Sequence, residues 1–373
     1  MLGSVQVNNL NLLQGPLTEV ERYLLFVGRG AGKNEGSLIA VNASTDFDAV
    51  LGSGASNLKT QIQAAQLNAG QNWNAAVLPL AEGASWPESW KDGVDMAVEE
   101  EQYEGIVLTD PVTLSTQVEA MQAKAENIMA KHMAPVFMAG SLRPPAEDET
   151  WEAYLTFARS VTGGIAADQV TLTAALWGPE LGAYMGRLCN KSVTVADTPM
   201  RVPTGPLLGA WSDRPVDNTG RKLDMATLHS LDLARVSVPQ WYAGYPGVYF
   251  GDGNVLDVEG GDFQVIENLR VIQKCMRKVY PLAVAKIGDR TLNESPASIA
   301  AAKMYFTRPL REMSKTRKVL GVPFPGEIHP PTDKSVTIVW QSKYAVEIWI
   351  TARPYNCPKD ITCNLLLDLE NYA

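Results

Sequence analysis

The sequence predicts an α/β fold (α+β overall): a mainly parallel, helix-covered sheet, then a C-terminal α+β domain, with extended strand arms at both ends. Three observations carry this. Between Tyr23 and Leu188, short apolar runs alternate with helical patterns at strand–helix spacing. Beyond Val236 the order changes to tight turns, one long helix and strands. At both ends, apolar and polar residues alternate with nothing local to pair them.

The elements follow in chain order. Residues 4–13 read as a short extended segment, Val5 and Val7 alternating with Gln6 and Asn8, and Gly15-Pro16-Leu17-Thr18 separates it from the rest. A strand that short cannot bury itself and needs a partner. Tyr23–Val27 and Ser37–Val41 are apolar strand runs, and Asp46 opens a short helix. Leu58–Leu67 is a helix ended by Asn68-Ala69-Gly70, and Ala75–Leu80 and Gly105–Thr109 are strands. Leu114–His132 places Val118, Met121, Ala125, Ile128 and Met129 on one helical face. Pro135–Ala139 and Val170–Leu176 are buried-type strands, and Glu149–Val161 and Pro179–Leu188 are helices, the last with proline at its start.

Past Val236, Gly244–Gly247 and Gly251–Asn254 are turns between short strands. Asp262–Val279 is a helix with Phe263, Ile266, Leu269, Ile272, Met276 and Val279 on its buried face, and Pro281 ends it. Asp262 and Glu267 early, and Lys274, Arg277 and Lys278 late, suit the helix dipole. Val336–Gln341 and Ala345–Arg353 are strands, Arg353–Pro358 is a turn, and Ile361–Glu370 is a closing strand with Cys363, Leu365, Leu367 and Leu369 on one side. The expected units are residues 1–20 (N-terminal arm), 21–235 (α/β body), 236–353 (C-terminal α+β domain) and 354–373 (C-terminal arm strand).

Composition narrows the functional classes. The chain has 373 residues, 20% charged and 46% hydrophobic, with a net charge of −9. A surface of that sign repels phosphate, so neither nucleic acid nor an anionic membrane is an expected partner. The first residues have neither a basic stretch nor a continuous apolar core, and no window reaches the ~18 apolar residues of a membrane span. The expectation is a soluble protein made in a cytoplasm, its four scattered cysteines, Cys189, Cys275, Cys357 and Cys363, reduced and buried.

Motifs for chemistry fall short. Gly28-Arg29-Gly30-Ala31-Gly32-Lys33 follows a strand as a phosphate loop does, but Val27 stands where the first glycine belongs and Asn34 where the magnesium-binding hydroxyl belongs. A strand also follows where a helix should start. A nucleotide-binding enzyme using this loop is the alternative functional class. His132, His229 and His329 are far apart, and the spacing of Cys357 and Cys363 matches no common zinc pattern. Gly52-Ser53-Gly54 is not a serine elbow, and Glu99-Glu100-Glu101 reads as a solvated face. The nine tryptophans suit core and interface packing. No catalytic residue, cofactor or metal is expected. The two alternating ends remain, because an unpaired strand edge is a template for association.

Several stretches resemble one family. Ser37–Gly52, with Asp46-Phe47 and then Leu51-Gly52, is similar to a strand, acidic–aromatic pair and apolar–glycine pattern of contractile tail sheath proteins of myophages and related injection machines. Asn68–Trp73 leading into a strand, the helix opening at Asp262-Phe263, and the closing run from Val346–Ile350 through Pro354 to Leu365–Leu369 are similar too, so the resemblance spans Tyr23 to Leu369. It implies a virion component made in the host bacterial cytoplasm: a homo-oligomer of hexameric rings stacked into a helical sheath around a tail tube protein. Baseplate and tail terminator proteins are further implied partners, with no nucleic acid and no membrane. Contraction would drive the tube through the host envelope. Another self-assembling tail or baseplate component is the neighbouring alternative. The resemblance implies intersubunit arms: Val5 and Val7 at one end, and Val346, Ile348, Ile350, Leu365, Leu367 and Leu369 as receiving and donated strands at the other. Gly15-Pro16 and Arg353–Pro358 are the implied hinges.

Overall fold

The apolar run after Tyr23 becomes the central strand of the sheet. In a computed structural model of the chain, which describes residues 20–30, 32–81, 83–84, 89–211 and 213–366, β1 (Leu24–Arg29) lies between β3 (Asn74–Leu80) and β4 (Gly105–Leu108). Both pairings are parallel, Phe26 facing Val77 on one side and Val107 on the other. β5 (Phe137–Ser141) and β6 (Val170–Thr173) extend the sheet in parallel, and β2 (Ile39–Asn42) closes the opposite edge antiparallel to β3. The six-stranded order is β2-β3-β1-β4-β5-β6.

Strands buried on both faces read as unbroken apolar runs, and β1 shows why. Leu25 and Val27 point into one layer, with Trp90, Met121, Ile128 and Tyr154. Leu24 and Phe26 point into the other, with Phe47, Ile62, Tyr184 and Leu269. The first layer is covered by α3 (Trp90–Glu100), α4 (Ser115–His132), α5 (Trp151–Thr162) and α7 (Met225–Leu233). The second is covered by α1 (Phe47–Leu51), α2 (Asn57–Ala69) and α6 (Glu180–Cys189). Side-chain caps start the helices: Asp46 accepts from Asp48 N at 3.0 Å, Ser56 from Lys59 N at 3.2 Å and Thr150 from Ala153 N at 3.2 Å. Gly70, at φ 77°, ends α2 in a conformation that disfavours a side chain.

α2 and α6 approach closely because α6 carries glycine at 182 and 186. A Cβ at Gly182 would lie 1.9 Å from the Gln61 carbonyl oxygen, and one at Gly186 2.6 Å from that of Ala65. Gly182→Ala should therefore push the helices apart at a cost of ~1–3 kcal/mol. Urea unfolding should show a lower midpoint with an unchanged slope.

The remaining elements are β7 (Pro239–Gln240), β8 (Tyr249–Phe250), α8 (Ile266–Val284), α9 (Pro296–Met313), β9 (Arg317–Val319), β10 (Val322–Phe324), β11 (Val336–Ser342) and β12 (Ala345–Ile350). Each pair β7–β8, β9–β10 and β11–β12 is antiparallel. A third core, Val271, Cys275, Phe306, Leu310, Met313, Ile328, Val336 and Ile338, joins α8 and α9 to the last hairpin. Among the described residues, no helix is long and apolar enough to cross a membrane.

Four expectations need correction. Pro281 does not end α8, which runs on to Val284, since one proline removes a single helical donor and packing covers that loss. The buried face of α8 is also rotated from the expected one. Ile266 and Leu269 are buried, but Met276 is 38% exposed while Glu267, Arg270 and Lys274 are buried. Only Cys189 and Cys275 are buried; Cys357 and Cys363 are exposed free thiols. Finally, residues 361–366, expected within the closing strand, have no regular secondary structure. A strand needs an edge, and none of the described strands pairs with them.

Candidate assembly interface

β11 and β12, both expected as strands, form an antiparallel hairpin. Val336 pairs with Ile350, Ile338 with Ile348 and Trp340 with Val346. Because side chains alternate between faces, Val336, Ile338, Val346, Ile348 and Ile350 all turn onto the core of α8 and α9. The opposite row, Thr337, Val339, Glu347 and Trp349, faces solvent, with Trp349 63% exposed. Among the described residues the hairpin stays two-stranded, so its outer edges are open to another strand.

From Ile350 the chain runs back along the body. Thr351 N donates to Ser335 O at 2.9 Å, Pro354 bridges to Ile328, and His329 N donates to Arg353 O at 2.8 Å. The His329 and Tyr355 rings lie 3.8 Å apart. Lys359 Nζ then reaches both carboxylate oxygens of Asp252, at 2.6 and 2.7 Å, and Glu267 Oε1 at 2.8 Å. Beyond this anchor Ile361, Leu365 and Leu366 are 71%, 96% and 95% exposed. Apolar side chains that open to water gain ~1.5–3 kcal/mol each on burial, so the segment favours a partner. The Arg353–Pro358 turn is held at both ends, and the chain leaves the body after Lys359. Of the expected arm residues, the structure places Val346, Ile348 and Ile350 together in the hairpin and Leu365 apart on the exposed segment. Val5, Val7, Leu367 and Leu369, with Gly15-Pro16, lie outside the described residues.

The glycine-rich loop has another use. Gly28 is part of β1, and a Cβ there would lie 1.9 Å from Thr109 Oγ1. Asp110 accepts from Arg29 N and Arg29 Nε, both at 2.9 Å, so a carboxylate faces the loop where a phosphate cradle would present donors. Lys33 Nζ donates to the Ala49 carbonyl, and the next element is β2, not a helix. This is a turn fastened to its neighbours. Among the described residues no group of three or more His, Cys, Asp or Glu is placed to hold a metal ion.

Sequence reasoning missed the polar residues that fasten the body together. Arg270 on α8 meets Glu104, just before β4, through Nε and Nη2 at 2.8 and 2.9 Å, with both side chains essentially inaccessible. Arg270 Nη2 also donates to Leu188 O at 3.0 Å. Burial by itself pushes the Glu104 carboxyl upward, but the charge and hydrogen bonds of Arg270 outweigh it and hold the group below the usual carboxylate range. One turn on, Lys274 meets Glu327 at 2.7 Å. Arg277 reaches Glu21 at 3.3 Å and Pro135 O at 2.9 Å. The available signal was a row of charges at three- and four-residue steps, Glu267, Arg270, Lys274 and Arg277.

Residues 2–254 match the family model described as DUF2586, N-terminal domain, and residues 262–370 match DUF2586, C-terminal domain. The chain is 44% identical over 378 residues to the putative tail sheath protein of Haemophilus phage HP1, covering 100% of this chain and 99% of that protein. Its fold is similar to the sheath of an extracellular contractile injection system, PVC, in the contracted state, with TM-score 0.65, 10% identity and coverage of 99% and 98%. It is also similar to the contracted helical sheath of the anti-feeding prophage, with TM-score 0.60, 14% identity and coverage of 98% and 100%. A sheath tail protein from Desulfitobacterium hafniense gives TM-score 0.56 at 10% identity, covering 94% of this chain and 96% of that one.

Proposed function

The chain belongs to the DUF2586 family and is a structural subunit of a contractile tail sheath; from that premise we propose how its parts serve that role. Subunits polymerise as six-membered rings stacked around an inner tail tube, with baseplate and terminator proteins at the two ends. The exposed segment beginning at Ile361 leaves one subunit and adds a strand to the open edge of a neighbour's β11–β12 hairpin. Val5 and Val7 contribute a strand from the other end of the chain. In this reading residues 21–235 and 236–353 are the two parts of one rigid body, and 1–20 and 354–373 are its links.

One observation carries the reading: Ile361, Leu365 and Leu366 stand in solvent, and among the described residues the chain's own hairpin has unpaired edges. Main-chain hydrogen bonds suit a link that must persist, since a strand pair keeps its register while bodies rotate around it. Charged surfaces suit the contacts that exchange during contraction. Electron microscopy of the purified chain tests this directly. Long tubes of uniform width are expected, and only small monodisperse particles across a range of concentration and salt would refute it.

A further inference from the structure

Glu267, Arg270, Lys274 and Arg277 follow one another at steps of three, four and three residues, so they lie along one face of α8. Each holds a different part of the chain. Glu267 holds Lys359, Arg270 holds Glu104, Lys274 holds Glu327 and Arg277 holds Glu21. The two outer pairs are distinctive. Glu21 sits where the chain enters the body from its N-terminal segment, and Lys359 sits where it leaves toward its C-terminal one. We propose that this face of α8 is a tie between the roots of the two terminal arms, with Glu21–Arg277 and Lys359–Glu267–Asp252 as its end fastenings.

The geometry favours a tie over a set of unrelated ion pairs. Ten residues of helix separate Glu267 from Arg277, roughly 15 Å at the helical rise. A helix is stiff along its axis, because stretching it breaks several hydrogen bonds at once. The Arg277 and Glu21 side chains are 11% and 6% exposed, and Asp252 and Glu267 are 15% and 6% exposed around Lys359, which is 26% exposed. The inner pairs, Arg270–Glu104 and Lys274–Glu327, then secure the same helix to the sheet and to the segment leading into β11. Lys359, Glu267, Arg277 and Glu21 are thus positioning residues for the arms.

The inference rests on the sheath reading only for what pulls on the arms. In a contracting sheath each subunit is linked to neighbours through both ends, and tension entering at Lys359 leaves at Glu21 without passing through the loops between. The bodies can then rotate as units while the links hold.

Lys359→Met and Arg277→Met each remove one fastening while keeping bulk. Hydrogen exchange on the unpolymerised chain should accelerate about tenfold or more across residues 351–360 in the first variant and across 20–23 in the second, with the sheet strands unchanged. Lys359→Arg should restore protection. Microscopy should show fewer and shorter tubes for both methionine variants. Unchanged exchange at both roots would overturn the tie, as would variant tubes as long and as contractile as wild type. If the wild-type chain forms no tubes, the sheath reading falls and the exchange result alone decides the tie.

Discussion

Deleting residues 361–373 is expected to abolish long tubes while leaving the melting temperature of the single subunit unchanged. In the described part of that segment, Leu365 and Leu366 are almost fully in water and Ile361 is largely so. They contribute nothing to the subunit's own core, so their loss cannot unfold it. In an assembly the same side chains would be covered. At ~1.5–3 kcal/mol for each, each intersubunit link should weaken on the order of a thousandfold or more. Sedimentation and microscopy read the assembly, and calorimetry reads the subunit. A point variant, Leu365→Asp, should reproduce much of the effect because a charge cannot enter an apolar strand contact without a partner. Ile348→Ala should behave differently. Ile348 packs against the core of α8 and α9, so this change should lower the subunit's own melting temperature as well. Tubes of normal length from the truncated chain would remove the C-terminal segment from the assembly mechanism.

These expectations mix what the sequence displays with what only the fold reveals. The strands of the sheet were legible because β1, β3 and β4 are buried on both faces, which forces unbroken apolar runs such as Leu24–Val27. Helices α3, α7 and α9 were not seen. α3 ends in Glu99-Glu100, part of the acidic run read as a solvated face, and Gly93 in its interior weakens the helical pattern. A Cβ at Gly93 would lie 2.6 Å from Leu78 Cδ2, a side-chain end that would have to shift to admit it. α9 starts where Ser295 caps Ser298 N ahead of Pro296, and it continues through Pro309, which removes one helical donor from its interior. At the candidate interface, Val346, Ile348, Ile350 and Leu365 came from the family resemblance together with their alternation in sequence. Neither showed that the first three turn into their own subunit while the last turns out. The ion pairs of α8 were illegible for another reason. Arg270 and Glu104 are 166 residues apart, and local spacing has no access to such a pairing. Charges late in that helix suited the dipole, which hid that they were buried partners.

That buried pair gives the largest expected effect on the subunit itself. Arg270→Met should destabilise the fold by ~3–5 kcal/mol, because it leaves the Glu104 carboxylate without its partner in a site closed to water. Glu104→Gln should cost less, since the amide still accepts from Arg22 N, although its own NH₂ then faces the guanidinium. The double variant should be less destabilised than the sum of the singles, and the difference measures the coupling. Acid supplies an independent reading. The folded state holds the Glu104 carboxyl below its ordinary range, so its contribution is fully present above the unfolded value of ~4.3 and is lost as pH falls through the folded value. Unfolding free energy measured downward from neutral pH should therefore drop more steeply below about pH 4 in the wild type than in Glu104→Gln. Parallel curves for the two proteins would mean that Glu104 is not held ionised by Arg270. Because Arg270 stands between Glu267 and Arg277 on the same face of α8, the acid loss should also loosen both arm roots, and tubes should come apart in the pH range where the subunit weakens.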